Sequence, residues 1–576
     1  MRFSITRVVT TTFIMAVILF PFPFAGARAD SCSMVLGFAS LGAMIPDRVG
    51  QCVDNESHNP DNGDALQHTS SGLFAWRKAD NWTAFTDGYR SWVNGPGGLQ
   101  QRLNTERFSW EANPDGLAPA GGGPVATNAP SFNSGDLAGG VPMLRFLSDN
   151  LPLFSQSPDP RFGGIQVSDV GIPVAQDLGL SWTRELYLWD LMSGYDPGMF
   201  DRISTDQHLA PGVREVGLLM FFPPYANGGQ GKRVPSAGLD LPWNHPSNRF
   251  GQFAGGLASA KRGRVDTWLL YNEQDICSSS QPGFSWDSPR RVEDFYNYMK
   301  TGYQAIKAGN PGATVLLGSL SLVDSSCQTD GTEMSFWNRW LEIAAADPAS
   351  AASQYWFDGL SLNIHKEPEK IYDLIRRYHD SMQSRGFDKP VWLVETGIPV
   401  LPGPIDAASN SDLAVNKDNQ ESFLVQAYAN AIAAGADHIG IYKMSDFPPS
   451  DSAYRTIKAA VKYMSGVTSA SKSPENRSAG GRYVDRLNGV VTITMSGPGF
   501  QTVVVYNRSA TPQPVAIPAT SSVAMVSDKQ GNERQVAAQG GFYNFTLDPV
   551  TAFFDAPWGE RVRFIGGSPM MLRQAN

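Results

Sequence analysis

Residues Trp268–Cys277 read WLLYNEQDIC: four apolar residues, then an abrupt change to Asn272-Glu273 and further polar residues. A run this short and apolar suits a strand buried on both faces, as in a parallel sheet. An amide and a carboxylate at its end need a reason, because a buried carboxylate is costly unless it is partnered or used. The reason has to come from the rest of the chain.

Seven more runs of the same kind surround it between Arg161 and Asp446: FGGIQV, LSWTREL, VGLLMFFPP, TVLLGSLSL, FDGLSLNIH, PVWLVETG and HIGIYKMSD. Between them lie stretches such as VEDFYNYMKTGYQAIKAG and KIYDLIRRYHDSMQSRG, with apolar residues three and four apart and a closing Gly suited to a helix C-cap. Eight buried runs alternating with helix-length segments predict an α/β fold, a (β/α)8 TIM barrel over residues 159–472. An open doubly wound sheet is disfavoured because no Gly-rich phosphate loop follows the first run. From 473 to 576 the pattern changes to short alternating runs, GVVTITMSG, FQTVVVYNRS, QPVAIPA, SSVAMVSDKQG, GGFYNFTLDP and TAFFDAP, which predict a C-terminal antiparallel β-sandwich. Ahead of the barrel, residues 30–115 form a Trp-rich block read as a small N-terminal module, and 116–158 are a Gly/Pro-rich linker.

At 576 residues the chain is expected to hold more than one core. Its net charge of -9, with both signs interspersed, excludes a basic nucleic-acid groove. Residues 1–29 carry Arg2 and Arg7, a short apolar run and Ala27-Arg28-Ala29, the pattern of a cleaved signal peptide; a secreted, extracellular protein is expected. No later stretch is long and apolar enough to predict a membrane span. The four cysteines pair by proximity as Cys32–Cys52 and Cys277–Cys327, and no Cys-x-x-Cys or histidine spacing predicts a metal.

Active groups of a parallel barrel project from the C-terminal ends of its strands. The fourth run ends in Asn272-Glu273 and the seventh in Glu395; the second carries Arg184, the sixth ends in His365, and the eighth carries Tyr442-Lys443. Two carboxylates on strands four and seven face each other across the barrel mouth. Glycoside hydrolysis needs such a pair, one protonated and one ionised, at ~5–5.5 Å for retention of configuration and wider for inversion. Arg184 is placed to keep Glu395 ionised, apolar and aromatic neighbours and a nearby negative Glu395 to raise the pKa of Glu273, and Asn272 to donate to a sugar hydroxyl. Trp182, Trp189, Tyr225, Trp243 and Trp286 are candidate sugar-stacking platforms or core.

The Asn-Glu pair ending strand four with a Glu ending strand seven resembles the clan A retaining glycoside hydrolases, nearest in flavour to family 39 and related bacterial proteins. The resemblance covers roughly Arg161–Ser465. It implies double displacement on a β-linked poly- or oligosaccharide with no cofactor, Glu273 as acid/base, Glu395 as nucleophile, Asn272 on the 2-hydroxyl and Arg184 beside the nucleophile. His365, Tyr442 and Lys443 are the remaining substrate-contact candidates.

The chain departs from that pattern where Tyr442-Lys443 replaces the Trp common at the end of strand eight, and where Lys366 follows His365 in place of an aromatic residue. Both changes bear on the identity of the sugar. Lys443 also permits a Schiff-base reading, which the carboxylate pair makes unnecessary. The N-terminal module reads as a spacer or a cell-surface contact. The alternative function is a non-catalytic carbohydrate-binding or envelope protein on a hydrolase-like barrel. Loss of either Glu would favour it, and both are present.

Overall fold

The computed structural model describes residues 32–58, 63–78, 82–86, 90–95, 98–103, 106–108, 110, 118–119, 154, 158–165, 172–192, 212–276, 286–288, 290–321, 333–400, 415–478, 485, 487–555 and 561–576. The expected signal peptide of residues 1–29, most of residues 116–158, Cys277 and Cys327 lie outside them. The chain forms two compact units, Met1–Gly140 and Val141–Asn576.

In the first unit, helices α1 (Leu36–Met44) and α2 (Pro46–Val49) precede a six-stranded antiparallel meander: β1 (Ser57–His58), β2 (Ala65–Thr69), β3 (Gly72–Arg77), β4 (Trp82–Thr86), β5 (Arg90–Gly95) and β6 (Gly98–Leu103). Phe38 and Leu41 of α1 pack on Phe74, Phe85 and Trp92 of the sheet. So small a core gains from a covalent tie. Cys32 and Cys52 supply it, with Cα atoms 5.8 Å apart. Strands β7 (Glu106–Arg107) and β8 (Ala118–Pro119) make a short parallel pair.

The second unit opens with the barrel. Its strands are β9 (Phe162–Ile165), β10 (Trp182–Leu188), β11 (Arg214–Met220), β12 (Thr267–Asn272), β13 (Thr314–Leu320), β14 (Gly359–Asn363), β15 (Val391–Thr396) and β16 (His438–Ile441), hydrogen-bonded in that order and closing from β16 back to β9. Every neighbouring pair is parallel. The intervening helices are α3 (Ile172–Leu178), α4 (Trp189–Met192), α5 (Arg249–Ala260), α6 (Arg291–Gly309), α7 (Ser335–Ala346), α8 (Pro368–Gln383), α9 (Lys417–Ala434) and α10 (Ser452–Met464). Local chemistry sets their ends. Pro368 opens α8, Asn248 and Asp451 cap α5 and α10, and Gly435 closes α9 at φ 97°, a left-handed position open to glycine.

Large aromatic rings plug the lower end of the barrel, and glycines make room for them. The Trp182 indole lies against Gly163 and Gly440, where a Cβ would collide with it. Trp392 packs on Trp182 with ring centroids 5.5 Å apart and stacks on His438 at 3.5 Å. Trp182 is therefore floor, not a sugar platform. Trp189 and Trp286 are likewise buried, stacked on Phe253 and wedged between Tyr271 and Tyr298 respectively. Tyr225 accepts a hydrogen bond from the Trp189 indole and, like Trp243, packs against the core.

The C-terminal region holds a six-stranded antiparallel sheet and two separate two-stranded antiparallel pairs. Its strands are β17 (Ser469–Ser473), β18 (Val490–Gly497), β19 (Phe500–Asn507), β20 (Gln513–Pro518), β21 (Val523–Asp528), β22 (Glu533–Ala537), β23 (Phe542–Leu547), β24 (Ala552–Asp555), β25 (Arg561–Ile565) and β26 (Met570–Ala575). The sheet order is β17-β18-β19-β26-β21-β22, with β20 paired to β23 and β24 to β25. Val505, Ile517, Val526, Tyr543 and Leu572 form its core, as expected for a sandwich.

This region covers α9, so that helix is buried on its polar face too. Gln426 bonds Gly566 N and Gly567 O at 2.9 Å each, and Asn430 donates to Tyr506 at 2.9 Å. Lys472 of β17 is fully buried, pairing with Glu369 of α8 and donating to Asn430 at 2.6 Å, while Tyr506 donates to Glu369. Among the described residues no helix is long and apolar enough to cross a membrane.

Removing one partner of a buried ion pair strands the other charge. Lys472→Met is expected to destabilise the second unit by about 3–5 kcal/mol, with Glu369→Leu/Lys472→Met recovering most of the loss. Urea unfolding followed by tryptophan fluorescence measures both; equal loss in the single and double variants would refute the account.

Candidate active site

Side chains alternate across a regular strand, so Asn272 and Glu273 should point to opposite faces. The backbone breaks that rule twice. Tyr271 has φ 78° and Glu273 φ 55°, both in the left-handed region that a Cβ disfavours, at a cost on the order of 1–3 kcal/mol each. As a result Leu270 and Tyr271 both pack outward, toward Gly302 and Tyr298 of α6. Asn272 and Glu273 both reach Asn363 inside the mouth. Register shifts at Leu317/Leu320, Leu362/Asn363 and Leu393/Thr396 put the same kind of irregularity into the upper ends of strands β13 to β16.

Polar contacts from neighbouring elements hold this strained strand end. Glu273 N donates to Ser319 O at 2.8 Å, and Gln274 Nε2 to Gly318 O at 2.9 Å. Asp275 accepts from Ser321 N at 2.9 Å and from its hydroxyl at 3.1 Å. Arg291 of α6 donates to Ile276 O at 3.0 Å. The Asp275–Ser321 bonds tie the loop after β12 to the start of the one after β13, the two loops that the expected Cys277–Cys327 bond was to join.

Within this mouth the structure gathers Arg184, Asn272, Glu273, His365, Glu395 and Tyr442. Arg184 Nη1 forms a buried ion pair with Glu395 Oε1 and reaches Asn272 Oδ1 at 3.5 Å. His365 Nε2 stands 3.7 Å from Glu395 Oε2. Single ligand atoms of Glu273, His365 and Glu395 all lie within 4.8 Å of one another. Tyr442, exposed at the rim, meets the His365 ring edge-on with centroids 5.7 Å apart. Lys443 turns aside, its Nζ 3.9 Å from Asp446.

Asn363 was not anticipated. It is fully buried, and its Nδ2 donates to Asn272 Oδ1 and Glu273 Oε1, 3.1 Å each. With Oδ1 of Asn272 accepting from both Arg184 and Asn363, its amide orientation is fixed and Nδ2 is left as the donor. The available signal was the polar residue ending the apolar FDGLSLN run, the same signal that marked Asn272.

The two carboxyls are driven in opposite directions. Burial, then the charge of Glu395, pushes the Glu273 pKa up to about 7, against a smaller opposing effect of the Asn363 hydrogen bond. Burial would raise Glu395 as well, but the Arg184 charge and His365 together hold it below the ordinary glutamate value. Near neutrality the pair therefore contains one proton-bearing acid and one carboxylate. Glu273, His365 and Glu395 are also the one group among the described residues with the donor types to hold a cation, although Arg184 already balances the Glu395 charge.

No protein-family model matches the sequence, and no curated protein does. Among solved structures, a family 39 glycoside hydrolase from the gut symbiont Bacteroides cellulosilyticus is similar over 91% of this chain and 97% of its own, with a TM-score of 0.50 at 14% identity. A GH30 endoxylanase from Clostridium papyrosolvens matches over 73% of this chain and 98% of its own, with a TM-score of 0.46 at 9% identity. A Paenibacillus polymyxa xyloglucanase of family 44 matches over 73% and 97%, with a TM-score of 0.44 at 11% identity. The chain has the fold of a clan A glycoside hydrolase: a closed parallel barrel with a C-terminal antiparallel region.

A carboxyl whose pKa rises from 4.5 to about 7 on folding favours the fold when protonated and loses that contribution as pH climbs through 7. Glu273→Gln is therefore expected to raise stability at pH 8 by about 3 kcal/mol and to change it little at pH 4, where both states carry a mostly neutral group. Thermal melts at the two pH values check this; a gain of equal size at both would point to packing instead.

Proposed function

We propose that the protein is an exported glycoside hydrolase that cleaves β-linked poly- or oligosaccharide with retention of configuration. The observation that carries this reading is the approach of Glu273 and Glu395 within 4.8 Å, with pKa values moved in opposite directions. An approach this close supports direct attack by a carboxylate, as retention requires. The β-linkage rests on the strand-four and strand-seven motif, and export on the signal pattern of residues 1–29.

In this reading Glu395, ionised beside Arg184, attacks the anomeric carbon. The bond from that carbon to the leaving oxygen breaks, and Glu273 gives its proton to that oxygen. A glycosyl ester on Glu395 results. Glu273, now ionised, takes a proton from water as the water oxygen attacks the same carbon from the opposite face and frees Glu395. Two inversions give net retention. Asn272 Nδ2 donates to the sugar hydroxyl next to the anomeric carbon. Asn363 holds both Asn272 and Glu273, and so acts as a positioning residue.

The activity profile in pH is expected to be bell-shaped. Its alkaline limb falls near pH 7 as Glu273 loses its proton, and its acid limb lies below the ordinary glutamate value, where Glu395 gains one. Initial rates from pH 3 to 9 on an aryl glycoside read both limbs.

Glu395→Gly is expected to abolish turnover, with azide restoring part of it and yielding a glycosyl azide of inverted configuration. Glu273→Ala should lower kcat by about 10²–10⁴-fold on poor leaving groups, with azide giving the retained product. Proton NMR of the two azides assigns the roles; the opposite pattern would reverse them.

A further inference from the structure

A cavity of about 550 Å³ opens beside the carboxylate pair, within the range that holds a bound small molecule. Its walls include His365, Ile398, Pro399, Gln420, Tyr442 and Phe447. These come from the ends of β14, β15 and β16 and from the start of α9. Among the described residues nothing from β12 or β13 lines it, and neither do Glu273, Glu395, Asn272, Arg184 or Asn363. The cavity is therefore next to the reacting position, with His365 and Tyr442 on the border between them.

On the glycoside hydrolase reading, which this inference requires, the side of the reacting centre on which the cavity lies identifies what enters it. The leaving oxygen must sit by Glu273, so the departing part of the substrate runs out over β12. The anomeric carbon must sit by Glu395, so the rest of that sugar extends away from Glu273. The cavity lies on this second side, walled by the residues that directly follow Glu395-Thr396.

Its walls are ordered by contacts of their own. Gln420 Nε2 donates to Ile398 O at 2.9 Å, and Lys417 Nζ, also on the wall, is held between Gln420 Oε1 at 2.8 Å and Asp451 at 2.7 Å. Phe447 is buried behind the cavity and Tyr442 is exposed at its lip. A partly apolar recess with a ring at its entrance and an ammonium and an amide on its wall has the character of a sugar site.

We infer that this cavity is a second glycone subsite, holding the sugar unit attached to the non-reducing side of the reacting one. The enzyme then acts on chains with at least two sugar units on that side and releases glycones of two units or more, instead of trimming single terminal residues.

The test uses 4-nitrophenyl β-glycosides of glucose, xylose, galactose and mannose, each as the monosaccharide and as its β-1,4-linked disaccharide. In whichever series is cleaved, kcat/KM for the disaccharide glycoside should exceed that for the monosaccharide glycoside at least tenfold, with intact disaccharide as the first product. Val400, which directly follows Pro399, also lines the cavity, and Val400→Trp, placing an indole on that wall, should bring that ratio toward one. Equal rates, or a monosaccharide as first product from the disaccharide glycosides, overturn the subsite and leave the hydrolase reading standing. If no glycoside is cleaved, and mass spectrometry finds no adduct on Glu395 with the matching 2-deoxy-2-fluoro glycosides, both fall.

Discussion

The Arg184–Glu395 ion pair is the constraint on which the rest of the site depends. A carboxylate buried this deeply would take up a proton unless a cation met it. With Arg184 in place, Glu395 stays ionised, and its negative charge then helps keep the proton on Glu273 less than 5 Å away. One guanidinium thus bears on two protonation states, together with burial at Glu273 and His365 at Glu395. Arg184 can be there because β10 starts with Trp182 and returns to the same face two residues later. The indole fills the barrel floor and the guanidinium rises above it. Glycines at 163 and 440 let so large a ring enter the barrel at all.

The barrel and the strand ends bearing Glu273 and Glu395 were legible in the sequence because both follow from strong local signals. Eight short apolar runs separated by amphipathic stretches leave few arrangements, and in a parallel barrel all strands point their C-terminal ends to one mouth. A polar residue closing such a run is conspicuous. Asn363 carried the same signal but was passed over, since a single Asn before an apolar Ile and a His reads as a simple strand end. What marks it is a contact across strands, to residues about ninety positions away in sequence.

The aromatic residues show the opposite limit. Trp182, Trp189 and Trp286 satisfy a compositional expectation for sugar-stacking rings, yet all three are interior. Their burial depends on which residues face them from distant strands and helices: Gly163 and Gly440 for Trp182, Phe253 for Trp189, Tyr271 and Tyr298 for Trp286. No local periodicity encodes those pairings. The left-handed turns at Tyr271 and Glu273 were equally hidden, because neither residue type favours that backbone. They are held by Asp275, Ser321 and Arg291, from three different elements.

The buried cluster of Glu369, Lys472, Asn430 and Tyr506 has a consequence for how this chain can be divided. The polar face of α9 and the Glu369 carboxylate have no water to solvate them, because strands β17 and β19 lie over them. A barrel cut free ahead of β17 would keep its mouth but expose a helix whose outer face was shaped for protein contacts, with a glutamate missing its lysine. Barrel and sandwich are in this sense one folding unit with two architectures. The sandwich is part of the barrel's wall, and a shortened chain would require that wall to be redesigned for water.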